Sequence, residues 1–155
     1  MPDDVACDIG RLLPHGEGMR MIEQVVAVDG HHALVRATTR PHWPMVAGRE
    51  VSALVLVEVA AQAAGIFIGW HAQAQPAAGK SGAKGWLVGV KRARFARASI
   101  PLGATLTIRA EARLAMDLYT EIAAAVTMAD GTPLAEVHLQ VLQAEQSPFS
   151  GITAL

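Results

Sequence analysis

This chain has one cysteine, little charge and no excess of either sign, and each shortage removes a class of function. Cys7 alone cannot close an intrachain disulfide, and its place near the terminus suits neither a reactive thiol nor a metal ligand, so a reducing, cytoplasmic setting is expected. Charged residues make up 17%, and 13 basic against 14 acidic side chains leave a net charge of -1, which argues against a nucleic-acid partner. The six histidines lack ligand spacing and carboxylates do not cluster around them, so no metal centre is expected. Also missing are a Gly-x-Ser-x-Gly elbow, a phosphate loop, a dinucleotide fingerprint, internal repeats and low-complexity tracts. The first twenty residues carry early aspartates and no continuous apolar stretch, unlike a secretory signal.

What the chain does have is apolar surface. With 155 residues, 52% of them hydrophobic, it can bury one core, so a single domain over 1–155 is expected. Val51 to Trp70 is the longest greasy stretch, with only Ser52, Glu58 and Gln62 polar, and Gly65 and Gly69 form a Gly-x-x-x-Gly pair. A membrane span would place Glu58 near its centre at a cost of roughly 2 to 3.5 kcal/mol, and the basic and aromatic anchors of a span are lacking. The pattern predicts instead a central helix over 51–73, buried on most sides, with Ser52 as a cap and small residues that let other elements approach.

Around that helix the sequence alternates like β structure. After an N-terminal segment, 8–19, residues 20–40 read as a hairpin turning at Asp29-Gly30, followed by a loop over 41–50 marked by Pro41, Pro44 and Gly48. Residues 74–85 read as a surface loop, and 86–144 as antiparallel strands with a turn at Asp130-Gly131. In one strand Leu106, Ile108, Ala110, Ala112 and Leu114 alternate with Thr105, Thr107, Arg109, Glu111 and Arg113, giving one dry and one wet face. The order predicts an α+β fold, a curved antiparallel sheet around one long helix, with edges that a second subunit could pair.

Glu58 is the most informative residue, because a carboxylate in an apolar helix must be paired or neutralised. A carboxylic acid that keeps its proton suits general acid catalysis, and Gln62, four residues on, shares its helical face and can orient it. His42, in Pro41-His42-Trp43-Pro44, stands in a loop just before the helix, where scaffolds present catalytic side chains. An imidazole base and a carboxyl acid suit proton removal beside a carbonyl, coupled to loss of a hydroxyl as water. Gly48 and the backbone N–H groups around Val51 and Ser52 are the candidates for holding the carbonyl oxygen. Lys91, Arg92, Arg94 and Arg97, with Lys80 and Lys84 ahead of them, form a local basic run suited either to an acidic partner or to blocking a strand edge.

Three stretches together carry a resemblance to a known family. They are Leu12-Leu13-Pro14-His15 with Met19; His42-x-Pro44 leading to Val57-Glu58-Val59-Ala60-Ala61-Gln62-Ala63; and Lys91-x-Ala93-Arg94-Phe95-x-Arg97 followed by Ile100-Pro101-x-Gly103-x-x-Leu106. In this order they resemble the hot-dog-fold 3-hydroxyacyl-(acyl carrier protein) dehydratases, and the divergent dehydratase-like group of aryl polyene gene clusters above all.

The resemblance implies a sheet of about six strands wrapped around the helix and a dimer with His42 and Glu58 contributed by opposite chains. It implies no cofactor, and a substrate carried on the phosphopantetheine of an acyl carrier protein, for which the basic run would be the docking surface. Two departures stand out: Met45 occupies a position where the housekeeping enzymes have glycine after His-x-Pro, and no Pro-Gly opens the helix. His15 falls in a family motif and reads as structural. Thioester hydrolysis on the same fold, or a non-catalytic subunit of a dehydratase heterodimer, are the alternative functions.

Overall fold

In the computed structural model, which describes residues 8–13, 16–74 and 84–144, the chain begins with a helical turn, α1 (Ile9–Leu12), and a 3₁₀ turn (Glu17–Met19). Then come β1 (Ile22–Val28), β2 (His32–Thr38), β3 (Val46–Ala47), β4 (Glu50–Ser52) and the long helix α2 (Val55–Ala74). The chain ends in β5 (Lys84–Phe95), β6 (Ser99–Pro101), β7 (Thr105–Met116), β8 (Tyr119–Met128) and β9 (Pro133–Ala144). Six strands form one antiparallel sheet in the order β1-β2-β7-β8-β9-β5, and β3-β4-β6 make a small second sheet. The expected loop over 74–85 falls largely on residues outside those described.

The α+β expectation holds, with α2 packed against strands of the six-stranded sheet and its core residues Leu56, Val59, Ala60, Ala63 and Ile66 buried. From the sheet, Val35, Leu106, Ile108, Ala124, Val137 and Leu139 meet them, each excluded from water. A side chain of this size contributes about 1.5 to 3 kcal/mol on full burial. By length and composition α2 could cross a membrane, but most of the relevant window is inside the protein.

Small residues let the N-terminal segment close over the helix. A Cβ at Gly69 would lie 2.8 Å from the Leu12 carbonyl oxygen, and one at Gly65 would lie 2.9 Å from Leu13 Cδ2. The Gly-x-x-x-Gly pair is therefore the seat of α1 and the residue after it.

The structure corrects three boundaries. The helix starts at Val55 rather than at 51, because Val51 and Ser52 belong to β4, where Val51 pairs with Val46 on one side and Ile100 on the other. Apolar composition cannot tell a buried strand from the start of a buried helix. The loop expected over 41–50 contains the β3–β4 hairpin, turning at Gly48 with φ of 62°. Finally, the dry face predicted for β7 stops at Ala112. The register slips between Ala112 and Leu114, so Leu114 pairs with Glu121 and is 44% exposed. One extra residue in a strand sends the residues beyond it to the opposite face.

Candidate active site

The loop that carries His42 is fastened at both ends. At its start, Thr39 Oγ1 donates to the Pro101 carbonyl (2.7 Å) and accepts from Ala104 N–H (3.0 Å). Arg40 holds Glu23 at 2.9 Å, and the Trp43 ring is buried in the core directly after His42. At its end, Ser52 N–H donates to the Met45 carbonyl (3.1 Å). Pinned in this way, the loop presents an exposed His42, whose ring has no hydrogen-bond or ion-pair partner among the described residues.

Glu58 sits in the first turn of α2 on a half-buried face with Val57 and Ala61, so it is less buried than the sequence suggested. The two large sheet-facing neighbours, Leu56 and Val59, take the core side. Gln62 does what its spacing predicts. Its amide N–H groups donate to Glu58 Oε1 (3.0 Å) and to the Met19 carbonyl (2.9 Å), while its oxygen accepts from Met21 N–H (2.8 Å). A fully buried amide thus ties the acid to the start of β1.

The carbonyl-holding candidates fare differently. Ser52 N–H is committed to Met45, Ala53 N–H to the Ala98 carbonyl (2.9 Å), and Leu54 N–H to Ser52 Oγ (3.3 Å). Val51 is sealed inside β4 and Gly48 turns the β3–β4 hairpin, so neither belongs to the first helical turn. Ser52 is neither the expected cap nor an oxyanion donor: it ends β4, and its Oγ accepts Leu54 N–H in the turn ahead of α2 rather than capping a helix that begins at Val55.

The basic run is partly spent. Lys91 bonds Glu121 at 3.0 Å, and Arg92 lies 3.5 Å from Glu136. The Lys91 ammonium, and then the Tyr119 hydroxyl, hold the Glu121 carboxyl below its ordinary range. Hydrogen bonding from His138 does the same for Glu136. Arg94 and Arg97 are exposed, with no ion pair to another described residue, while Lys80 and His15 lie outside the described residues.

Sequence reading missed the company that Arg94 keeps. It shares an open depression of about 580 Å³, on the sheet face turned away from α2, with Arg109, Glu111, Arg113 and Glu136 around Ala123 and Ala125. Only cross-strand register brings these residues together, since Arg94 stands opposite Glu136, Glu136 opposite Ala125, and Ala125 opposite Arg109. Among the described residues no group of three or more His, Cys, Asp or Glu could hold a metal.

The chain therefore holds an oriented carboxyl on a half-buried helix face and an exposed imidazole on a pinned loop. Among the described residues no hydrogen bond or ion pair links His42 to Glu58.

Comparison with known proteins agrees with this architecture. The ApeP-like family, described as ApeP dehydratase, matches residues 7–150. No curated protein matches the sequence. Among solved structures, the dehydratase heterocomplex ApeI:P from Xenorhabdus doucetiae superposes with a TM-score of 0.76 at 24% identity, covering 88% of this chain and 90% of that one. A hypothetical thioesterase from Streptococcus pneumoniae TIGR4, solved with coenzyme A, gives 0.61 at 12% identity and coverages of 79% and 86%. The protein smu.793 from Streptococcus mutans UA159, bound to acetyl CoA, gives 0.64 at 12% identity over 85% and 95%. The hot-dog fold is thereby shown, on a scaffold that carries dehydratases and thioesterases.

Proposed function

The chain belongs to the ApeP dehydratase family, and we propose that it converts a 3-hydroxyacyl thioester, carried on the phosphopantetheine of an acyl carrier protein, into the trans-2-enoyl thioester. In this reading His42 takes the proton from carbon 2 while the bond from carbon 3 to oxygen breaks, and Glu58 supplies the proton with which the hydroxyl leaves as water. The reaction is acid-base chemistry throughout and calls for no cofactor. The reducing cytoplasm is the setting we propose for it.

One observation carries the reading: Glu58 is oriented by a buried amide on a half-buried face of the core helix, while the pinned loop offers an imidazole with no hydrogen-bond or ion-pair partner among the described residues. We place the working site between two hot-dog subunits, His42 from one and Glu58 from the other. The second subunit is either another copy of this chain or a related one, and the ApeI:P heterocomplex from Xenorhabdus doucetiae supports a hot-dog partner. The exposed Leu87, Val88 and Val90 on edge strand β5 suit that pairing. For an acidic carrier protein the available cations are Arg94 and Arg97, with Lys91 and Arg92 neutralised in place.

The test is mass spectrometry on a panel of 3-hydroxyacyl carrier proteins, with the chain alone and mixed with a related hot-dog subunit. Enoyl thioester and a loss of one water are expected. Free thiol in place of enoyl product would select thioester hydrolysis, with Glu58 activating water, which the thioesterase neighbours favour. Turnover by the mixture that survives disabling this chain's His42 and Glu58 would mark it as a non-catalytic subunit.

A further inference from the structure

The sheet face turned away from α2 carries an ordered charge pattern about β8. Residues directly opposite one another on neighbouring strands share a face, so the register lays that face out in rows. In one row Arg109, Ala125 and Glu136 lie side by side on β7, β8 and β9; in the next come Glu111, Ala123 and His138, with Arg92 beyond on β5. The sign therefore reverses across β8 and again from one row to the next. Two strand spacings, about 9.6 Å, separate the charged ridges, and the alanines between them floor the depression of about 580 Å³. Opposite charges across β8 are thus kept apart, and each ridge pairs along its own side, Arg109 with Glu111 at 3.8 Å and His138 with Glu136 at 2.6 Å. Further along, Leu114 shares a row with Glu121 and Gln140, and Met116 with Tyr119 and Leu142. Leu114, Met116 and Leu118, in the turn that follows, are 44%, 58% and 46% exposed. Three large apolar side chains at one end of this face are left in water.

We propose that this face is an interface between two copies of the chain, laid sheet to sheet about a two-fold axis that runs along β8. Such an axis sets each residue of β7 against the β9 residue of the same row in the second copy, and makes every contact twice. Arg109 then meets Glu136 of the second copy, Glu111 meets its His138 beside Arg92, and Met116 meets its Leu142. Opposite charge meets opposite charge, and apolar meets apolar. Glu121 lies on the axis against its own copy, but Lys91 neutralises it in place at 3.0 Å. Arg94 and Arg113 fall at the rim, in water. A two-fold axis across the strands would oppose charges as well, Arg109 against Glu111, yet it would set Met116 against Thr105 and leave the apolar end unmatched. The pairing takes the side of the sheet opposite α2, so it leaves Glu58 and the outer edge of β5 free and depends on no reading of the chemistry.

The test counts copies of the full chain per particle by sedimentation equilibrium. Wild-type particles should hold twice as many copies as those of Arg109→Glu or of Glu136→Arg. Each reversal sets like charges together at two contacts and weakens the pairing at least about tenfold. Mixing the two variants should restore the wild-type count, because Glu at 109 in one copy then faces Arg at 136 in the other while the second contact keeps its native pair. The double variant Arg109→Glu/Glu136→Arg should pair with itself for the same reason, which separates a lost contact from a lost fold. An equal count in the wild type and both single variants overturns the proposal, as does a mixture that stays at the lower count. Restoration by Glu111→Arg in the Arg109→Glu chain, and not by Glu136→Arg, selects the axis across the strands and overturns it as well.

Discussion

Gln62 holds Glu58 through a single 3.0 Å hydrogen bond and places its remaining bonds on the backbone of Met19 and Met21. One buried amide therefore serves both the fold and the acid, and the two roles separate by experiment. Gln62→Leu strips its partner from the buried Met21 N–H, at a cost of about 1 to 3 kcal/mol for a group left unsatisfied, and frees the more exposed Met19 carbonyl to turn to water. Urea denaturation should show that loss. Turnover per folded molecule should fall as well, since Glu58 loses its orientation. Unchanged stability would mean that the N-terminal segment is held by other contacts.

Gly69 and Gly65 differ in what a methyl group would strike. At Gly69 it meets the Leu12 backbone oxygen, which cannot step aside alone, whereas at Gly65 it meets the end of the Leu13 side chain. Gly69→Ala should destabilise by about 1 to 3 kcal/mol despite the better helix propensity of alanine. Gly65→Ala should cost less, as a pair of thermal melts would show. The reverse order would contradict the seating of α1 on the helix.

The two glycines were legible as a close-approach motif, and the strand and helix content was legible from periodicity, because burial imposes periods of two and near four on the chain. What escaped is what periodicity cannot encode. Leu114 obeys the alternation of β7 on paper, yet the slip after Ala112 turns it outward. Val51 and Ser52 look like helix by composition and are strand by pairing. Lys91 reads as a free cation until Glu121, thirty residues away, arrives across β9 on the same face of the sheet. Glu58, Gln62 and His42 could be named as candidates from residue type and spacing. The spent N–H groups of Ser52, Ala53 and Leu54 depend on three-dimensional pairing and could not be foreseen.

Acid should weaken the β1–β2 turn in a traceable way. Asp29 is held below the ordinary aspartate range, first by the backbone N–H of His31 and then by that of His32, at 2.7 and 2.9 Å. A carboxyl depressed in the folded state adds stability that is fully present above its unfolded pKa and is lost as pH falls through its folded one. Asp29→Asn should therefore lower stability at neutral pH and flatten the decline of the melting temperature on the acid side. A variant with an undiminished acid slope would assign the decline to other carboxylates.

Since the His42 ring has no hydrogen-bond or ion-pair partner among the described residues, an active site shared between subunits predicts complementation. Should two copies of this chain make the site, His42→Ala and Glu58→Gln proteins, each inactive, should regain activity when unfolded and refolded together, as one mixed site keeps both groups. Failure to recover any turnover from mixed dimers would place both residues in one chain or point to a different partner subunit.

The central claim is that His42 and Glu58 are the base and acid of one dehydration. Its most direct measurement is single-turnover mass spectrometry of the enoyl thioester formed by folded His42→Ala and Glu58→Gln proteins, each in the assembly that is active as wild type. Both should form product at least about 100-fold more slowly while retaining wild-type mass and melting behaviour. Near-normal product formation by either variant would contradict the account.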